Sequence, residues 1–140
     1  MISYQRCDDL AKSAEMTLRN MRFYYEQFAV DWDHNKILQQ ITELENWDIL
    51  YQGKVIGAIR LAFDEDGCYL RDLQVDEAFQ NKGIGAQSLT ETKRIALQSG
   101  ADKLRLRVMK ISPAINLYKR DGFNISQEDD RFYYMEQSLA

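Results

Sequence analysis

The stretch that decides the reading runs Leu70-Arg71-Asp72-Leu73-Gln74-Val75, then Asp76-Glu77-Ala78-Phe79, then Gln80-Asn81-Lys82-Gly83-Ile84-Gly85-Ala86. It reads as a strand, a short loop and a glycine-punctuated turn that opens a helix. Such a turn exposes successive backbone N–H groups at the positive end of the helix dipole, an arrangement suited to a pyrophosphate. Glycine is needed there because a Cβ would hold the anion away from the backbone. Three readings of the loop compete. A Walker A loop requires Gly-Lys-Ser/Thr after its four spacer residues, which this sequence lacks. A dinucleotide fingerprint requires a third glycine at position 88, where Ser88 stands, after an N-terminal strand of a parallel sheet. The third reading is a helix-entry loop with no ligand.

Upstream of this stretch the pattern has a period of two. Residues 47–51, the turn Gln52-Gly53-Lys54 and residues 55–62 predict a hairpin. Asp64-Glu65-Asp66-Gly67 is a second turn, and residues 68–75 complete a three-stranded meander. Further upstream, residues 9–30 read as a helix with Leu10, Met16, Met21, Tyr24 and Phe28 roughly on one face. Asp33 is a candidate N-cap for a second helix carrying Ile37, Leu38, Ile41 and Leu44. Ile2 and Tyr4 alternate with polar residues as a short first strand.

Downstream, residues 86–99 read as a helix ended by Gly100. Leu104, Leu106 and Val108 alternate with Arg105 and Arg107 as another strand. Ser112-Pro113 gives an oxygen cap and then the residue best tolerated at the first helical position. That helix runs to about Arg120, Gly122 stops it, and residues 123–126 and 131–137 form a closing hairpin around Glu128-Asp129-Asp130. The order β-α-α-β-β-β-α-β-α-β-β predicts a mixed α/β architecture, a meander followed by a βαβ unit.

The second informative segment is Ser112-Pro113-Ala114-Ile115-Asn116-Leu117-Tyr118-Lys119-Arg120-Asp121-Gly122-Phe123. Together with the glycine loop it resembles the GNAT superfamily, the GCN5-related N-acetyltransferases. Those proteins carry Gln/Arg-x-x-Gly-x-Gly/Ala and, later, Ala-x-x-Leu-Tyr-x-x-x-Gly-Phe. Gln80, Gly83 and Gly85 match the first pattern; Ala114, Leu117, Tyr118, Gly122 and Phe123 match the second. The resemblance is specific from about Trp47 to Phe123 and weaker at both ends. It implies one α/β domain over residues 1–140, with a mixed sheet of about seven strands, a central bulged and splayed strand pair, and about four flanking helices. In a regular strand Leu70, Leu73 and Val75 do not share a face; one extra residue would let them.

The resemblance also implies an acyl-CoA-dependent N-acyltransferase that uses acetyl-CoA on a primary amine. Leu73, Gln74 and Val75 would lie along the pantetheine arm. Backbone groups of Gln80, Asn81, Lys82, Gly83, Ile84, Gly85 and Ala86 would hold the pyrophosphate, and Tyr118 would protonate the departing thiolate. A backbone N–H near Val75 would polarise the thioester carbonyl. The general base is less plainly marked: some histone-acetylating members use a glutamate where Tyr69 stands here. Asp72 and Glu26 are the available carboxylates, either acting through water. Ile111 stands where many members have an asparagine, and Ser112-Pro113 supplies the cap and first turn instead. A rival reading keeps the fold and cofactor loop as a non-catalytic, CoA-responsive regulatory module.

Composition narrows the remaining classes. Eighteen basic against 22 acidic residues leave a net charge of −4, the wrong sign for a generic nucleic-acid binder. No apolar stretch reaches the length of a membrane helix, and the first residues lack a signal-peptide core, which predicts a cytoplasmic protein. His34 is the only histidine and Cys7 and Cys68 lie far apart, so neither a metal site nor a Ser-His-Asp triad is expected. Aromatic residues Phe23, Tyr24, Tyr25, Phe28 and Trp32, with Phe132, Tyr133 and Tyr134, fall in the segments that shape the family's acceptor pocket. The resemblance implies a small-molecule or peptide amine as partner, and the edge of the closing hairpin is one on which a second copy could pair as a homodimer.

Overall fold

Two aspartates start the helical half of the chain. The Asp9 carboxylate accepts the Lys12 N–H at 3.1 Å and opens α1 (Leu10–Gln27); Asp33 accepts the Lys36 N–H at 2.9 Å and opens α2 (His34–Ile41). Each satisfies a first-turn N–H that has no carbonyl within its helix. The computed structural model describes residues 1–29 and 31–139. The first helix, expected to reach Val30, ends at Gln27, and Val30 itself lies outside the described residues. The other elements are β1 (Ile2–Arg6), β2 (Glu45–Tyr51), β3 (Lys54–Asp64), β4 (Gly67–Val75), α3 (Ile84–Gln98), β5 (Lys103–Met109), α4 (Ala114–Arg120), β6 (Asn124–Glu128) and β7 (Phe132–Ser138). The order is the expected one, with an added 3₁₀ turn at Glu77–Phe79.

The seven strands form one mixed sheet in the order β1-β2-β3-β4-β5-β7-β6. β1 runs antiparallel to β2 from Ile2↔Tyr51 to Arg6↔Trp47, and β7 pairs antiparallel with both β5 and β6. Parallel pairing joins β4 to β5 at Cys68↔Leu104 and Tyr69↔Arg105. β6 is the sheet's last strand and is exposed along its whole length.

The chain divides into two compact units, one of Met1–Arg60 with Asp72–Ile84 and one of Leu61–Arg71 with Gly85–Ala140. In the first, Ala14, Ile37 and Ile41 form a buried cluster covered by Leu10, Leu18, Tyr25, Trp32, Leu38 and Leu44. In the second, Leu104, Leu106 and Val108 of β5 are buried, while Arg105 and Arg107 between them are not. That is the period of two expected for this strand. Among the described residues no helix is long and apolar enough to cross a membrane.

Two expectations change. The buried face of α1 includes Ser13 and Thr17 beside Ala14 and Met16, because a buried arginine lies against it. Burial along β4 also keeps a period of two: Cys68, Leu70 and Gln74 are buried, whereas Leu73 and Val75 are half-buried. The shared face expected for Leu70, Leu73 and Val75 is not formed. Gln74 takes the inner position because its side-chain oxygen accepts the Asn20 amide at 3.2 Å, which satisfies a polar group that burial would otherwise penalise.

Candidate active site

The glycine loop is set by a chain of local hydrogen bonds. Asp76 caps the 3₁₀ turn, its carboxylate accepting the Ala78 N–H at 3.5 Å. Gln80 is extended and donates its side-chain amide back to the Val75 carbonyl at 2.9 Å. The backbone then enters the left-handed region twice, at Asn81 (φ +62°) and Gly83 (φ +80°). Asparagine and glycine are the residues that tolerate this conformation. Ile84, buried to 7% exposure, anchors the start of α3. A Cβ built on Gly83 meets nothing within 4 Å, so the space in front of the backbone is open. The first amides of α3 have no carbonyl partners inside their own helix. Open space before the first amides of a helix suits a bound anion.

A cationic notch adjoins the loop. Lys82 and Lys54 bring their ammonium groups to 5.8 and 5.9 Å from the Phe79 ring, and Tyr51 packs on that ring at 5.7 Å. Among the described residues neither lysine forms an ion pair with a carboxylate.

Gly85 has a different task from Gly83. A Cβ there would sit 3.0 Å from Leu117 Cδ2, so its absence lets α4 pack against the first turn of α3. The two sequence motifs thus meet in the structure, Gly85 of the first against Leu117 of the second. Ser112 Oγ accepts the Ala114 N–H at 3.2 Å just before α4, but Pro113 and not Ser112 occupies the cap position, one residue later than expected. The next residue after Leu117 is Tyr118, 8% exposed, with its ring edge-on to Phe123 at 5.8 Å. Gly122 (φ +103°) ends the helix, and the Phe123 N–H donates to the Tyr118 carbonyl at 3.0 Å. The tyrosine ring therefore packs against Phe123 just past the end of its own helix.

These observations fit one family, and the family's sequence model matches residues 11–123 as "Acetyltransferase (GNAT) family". The chain belongs to the GNAT acetyltransferases. It is an enzyme of the acyl-CoA-dependent N-acyltransferase type, and acetyl-CoA is the family's acyl donor. Solved structures show the same fold at low sequence identity. The PaiA N-acetyltransferase of Thermoplasma acidophilum, in complex with coenzyme A, superposes with a TM-score of 0.80 at 21% identity, covering 99% of both chains. The ribosomal-protein-S18-alanine N-acetyltransferase of Escherichia coli gives 0.80 at 20% identity, covering 100% of this chain and 95% of that one. A GNAT acetyltransferase of Elizabethkingia anophelis with acetyl-CoA bound gives 0.77 at 20%, covering 98% and 97%. Comparison with curated proteins finds no match.

Within this GNAT chain the two carboxylates singled out from sequence have different surroundings. Asp72 accepts Arg60 Nη1 at 3.2 Å, and Arg60 is fully buried. The same guanidinium donates to Asn46 Oδ1 at 3.0 Å, Thr17 Oγ1 at 2.8 Å, and the Ser13 carbonyl and hydroxyl at 3.1 and 2.6 Å. Glu26 is exposed near the end of α1. Tyr69 lies under Arg105 at 5.5 Å, and burial pushes its phenol pKa up.

The aromatic residues divide similarly. Tyr25 and Trp32 pack on the α1–α2 cluster, and Phe23 is 62% exposed beside Tyr24. Phe132 stacks under Arg107 at 4.2 Å and Tyr133 under Lys110 at 5.1 Å. Sequence reasoning missed Asn20, which donates to Gln74 Oε1 and to the Val75 carbonyl, both at 3.2 Å. A lone asparagine inside a long helix carries no motif; only a helical wheel drawn around buried Ser13 and Thr17 would have put it on the sheet side.

Proposed function

We propose that this GNAT enzyme transfers the acetyl group of acetyl-CoA to a primary amine, with Tyr118 as general acid and residues 80–86 as the pyrophosphate cradle. The observation that carries the reading is the loop itself: left-handed Asn81 and Gly83, open space at Gly83, and the start of α3 immediately after it. Acetyl-CoA supplies the acetyl group as a thioester already activated toward amines. The chain then has three tasks. A backbone N–H near Val75 donates to the thioester oxygen as negative charge gathers there. Tyr118 gives a proton to the departing thiolate, whose conjugate thiol has a pKa of about 8.5 and so leaves tolerably even unprotonated.

The third task is removal of a proton from the incoming ammonium. Of the two candidate bases, exposed Glu26 takes it directly or through water. Asp72 acts as base only if its contact with Arg60 is given up. Lys54 and Lys82 add positive charge for the cofactor's phosphates, and the aromatic residues of α1 suit an apolar or cationic acceptor.

Calorimetric titration of acetyl-CoA into the wild type, followed by free-thiol release with a panel of amines, tests the reading. Binding with release by at least one amine supports an acetyltransferase acting on amines. The engagement of Asp72 by Arg60 keeps a second reading in play, a CoA-responsive module without turnover. Tight binding with no release by any amine would favour that module. No binding at all would sink both.

A further inference from the structure

One face of the sheet in the second compact unit is rich in arginine, although the chain as a whole has a net charge of −4. On β5 the residues between the buried Leu104, Leu106 and Val108 are Arg105 and Arg107. The parallel pair Tyr69↔Arg105 brings β4 alongside, and antiparallel pairing sets Glu136 opposite Arg105 and Tyr134 opposite Arg107. Burial raises the Tyr69 phenol pKa; Arg107 and Arg71 oppose that rise most, and Arg105 adds to them. Three guanidiniums therefore gather around one phenol.

The cations of this face are not equivalent. Arg105 lies over the Tyr69 ring at 5.5 Å and gives Nη2 to Asp64 at 2.6 Å, and Lys103 pairs with Glu136 at 3.4 Å. Arg107 is exposed, 4.2 Å above the Phe132 ring, and forms no ion pair or side-chain hydrogen bond among the described residues. Its floor is held in place by Asp129, whose carboxylate accepts the Phe132 N–H and the Tyr134 hydroxyl, both at 2.8 Å. Contact with a fixed ring narrows the positions of the guanidinium before anything binds, so less freedom is lost when its N–H groups are used. Its planar fork offers paired donors, the match for the two oxygens of a carboxylate.

We propose that the acceptor amine itself bears a carboxylate, which Arg107 binds, and that amino acids are therefore the substrate class. The inference rests on the reading of this chain as an acetyltransferase acting on amines, and deepens it. Arg71 ties the face to the reacting end. It precedes Leu73 by two residues on β4, roughly 7 Å of strand, and Leu73 opens the stretch assigned to the pantetheine arm. An acceptor anchored by its carboxylate on Arg107 reaches with its amine toward the strand along which the thioester arrives. An amine without a carboxylate gains nothing from Arg107.

The test measures thiol release from acetyl-CoA with paired probes, each α-amino acid against its own carboxamide, which keeps the amine and removes the carboxylate. The two differ in amine basicity, but that difference is the same for every variant and cancels when the acid-to-amide ratio of kcat/KM is compared between variants. In Arg107→Gln the ratio should fall about tenfold or more, through the KM of the acid, because a charge-assisted pair is lost. Arg107→Lys should recover part of it, since it keeps the charge without the fork. Affinity of Arg107→Gln for acetyl-CoA in calorimetry should stay within about twofold of wild type. A large loss there would assign Arg107 to the cofactor and overturn the inference. An unchanged ratio, or use of amides alone by the wild type, would overturn it while leaving the acetyltransferase reading intact. Thiol release with no probe, and with none of the wider amine panel, would overturn both.

Discussion

Two polar clusters in the same compact unit sit at opposite extremes. Around Arg60, Asn46, Thr17, Ser13 and Asp72 together engage all three of its nitrogens, and the side chain has no exposure. Around Gly83, the backbone runs through left-handed turns into empty space, and Lys54 and Lys82 have no carboxylate partners among the described residues. The first cluster is complete without a ligand. The second is arranged so that its donors and charges have nothing to meet except one. Polar residues that finish one another hold a fold together; polar residues left unfinished at a shaped opening are where a ligand completes the set.

The completed cluster should be the costlier one to break for stability. Arg60→Ala removes the buried donor that Asp72 and the Asn46, Thr17 and Ser13 oxygens share. Removing one member of such a buried pair costs about 3–5 kcal/mol, which urea unfolding would register as a large fall in midpoint. A loss below about 1 kcal/mol would mean that water reaches the cluster and that the contrast with the loop is overstated.

Gly83→Asp should do the reverse, sparing most of the fold and destroying the cradle. The left-handed backbone costs a non-glycine residue about 1–2 kcal/mol. A carboxylate pushed toward the phosphates adds a repulsion of about 4 kcal/mol at 4 Å and an effective dielectric of 20. Affinity for acetyl-CoA should therefore fall at least about 100-fold in calorimetry, while Gly83→Ala, lacking the charge, loses less. Equal affinity in the wild type and the aspartate variant would show that the phosphates lie elsewhere.

Tyr118→Phe sharpens the contrast from the second compact unit. There, a nearly buried ring is positioned like a core residue by Phe123 and by the Gly122 turn. If it is only core, the phenylalanine is a close substitute and turnover stays put. If it is the acid, turnover in the thiol-release assay should fall about tenfold without vanishing, since a thiolate departs tolerably unaided.

The sequence disclosed much of this and hid some of it for a consistent reason. Every strand and helix was legible, because hydrophobic period, caps at Asp9 and Asp33, and stops at Gly100 and Gly122 are local signals. The glycine loop and the Leu117-Tyr118 helix were legible as spaced motifs. What remained dark was long-range polar pairing: Arg60 with Ser13 and Thr17, and Asn20 with Gln74 and Val75, are separated by 43 to 55 positions. A polar residue in a helix reads as solvent-facing until its distant partner is known. The same blindness made Gln74 look like an outward residue and Leu73 an inward one, so the expected common face on β4 was drawn one residue out of phase.

A third polar group shows that exposure alone does not mark an unfinished site. Asp129 lies in the exposed turn between β6 and β7, yet its carboxylate is fully occupied. Tyr134 donates its hydroxyl at 2.8 Å, and the Arg131 and Phe132 N–H groups donate at 2.9 and 2.8 Å. The Tyr134 hydrogen bond first, and then the two backbone donors, hold the Asp129 carboxyl below its ordinary range. A group whose pKa is lower folded than unfolded stabilises the fold above the unfolded value, and that contribution disappears as pH falls through the folded one. Asp129→Asn should therefore lower the melting temperature slightly at pH 7, and the gap to wild type should close as the solution is acidified below about pH 4. The effect should be the smallest of the four, since the turn is open to solvent and its bonds compete with water. A gap that persists unchanged to pH 3 would mean that the asparagine disturbs the turn by shape rather than by charge. In that case the turn's geometry, and not its ionised carboxylate, is what joins β6 to β7.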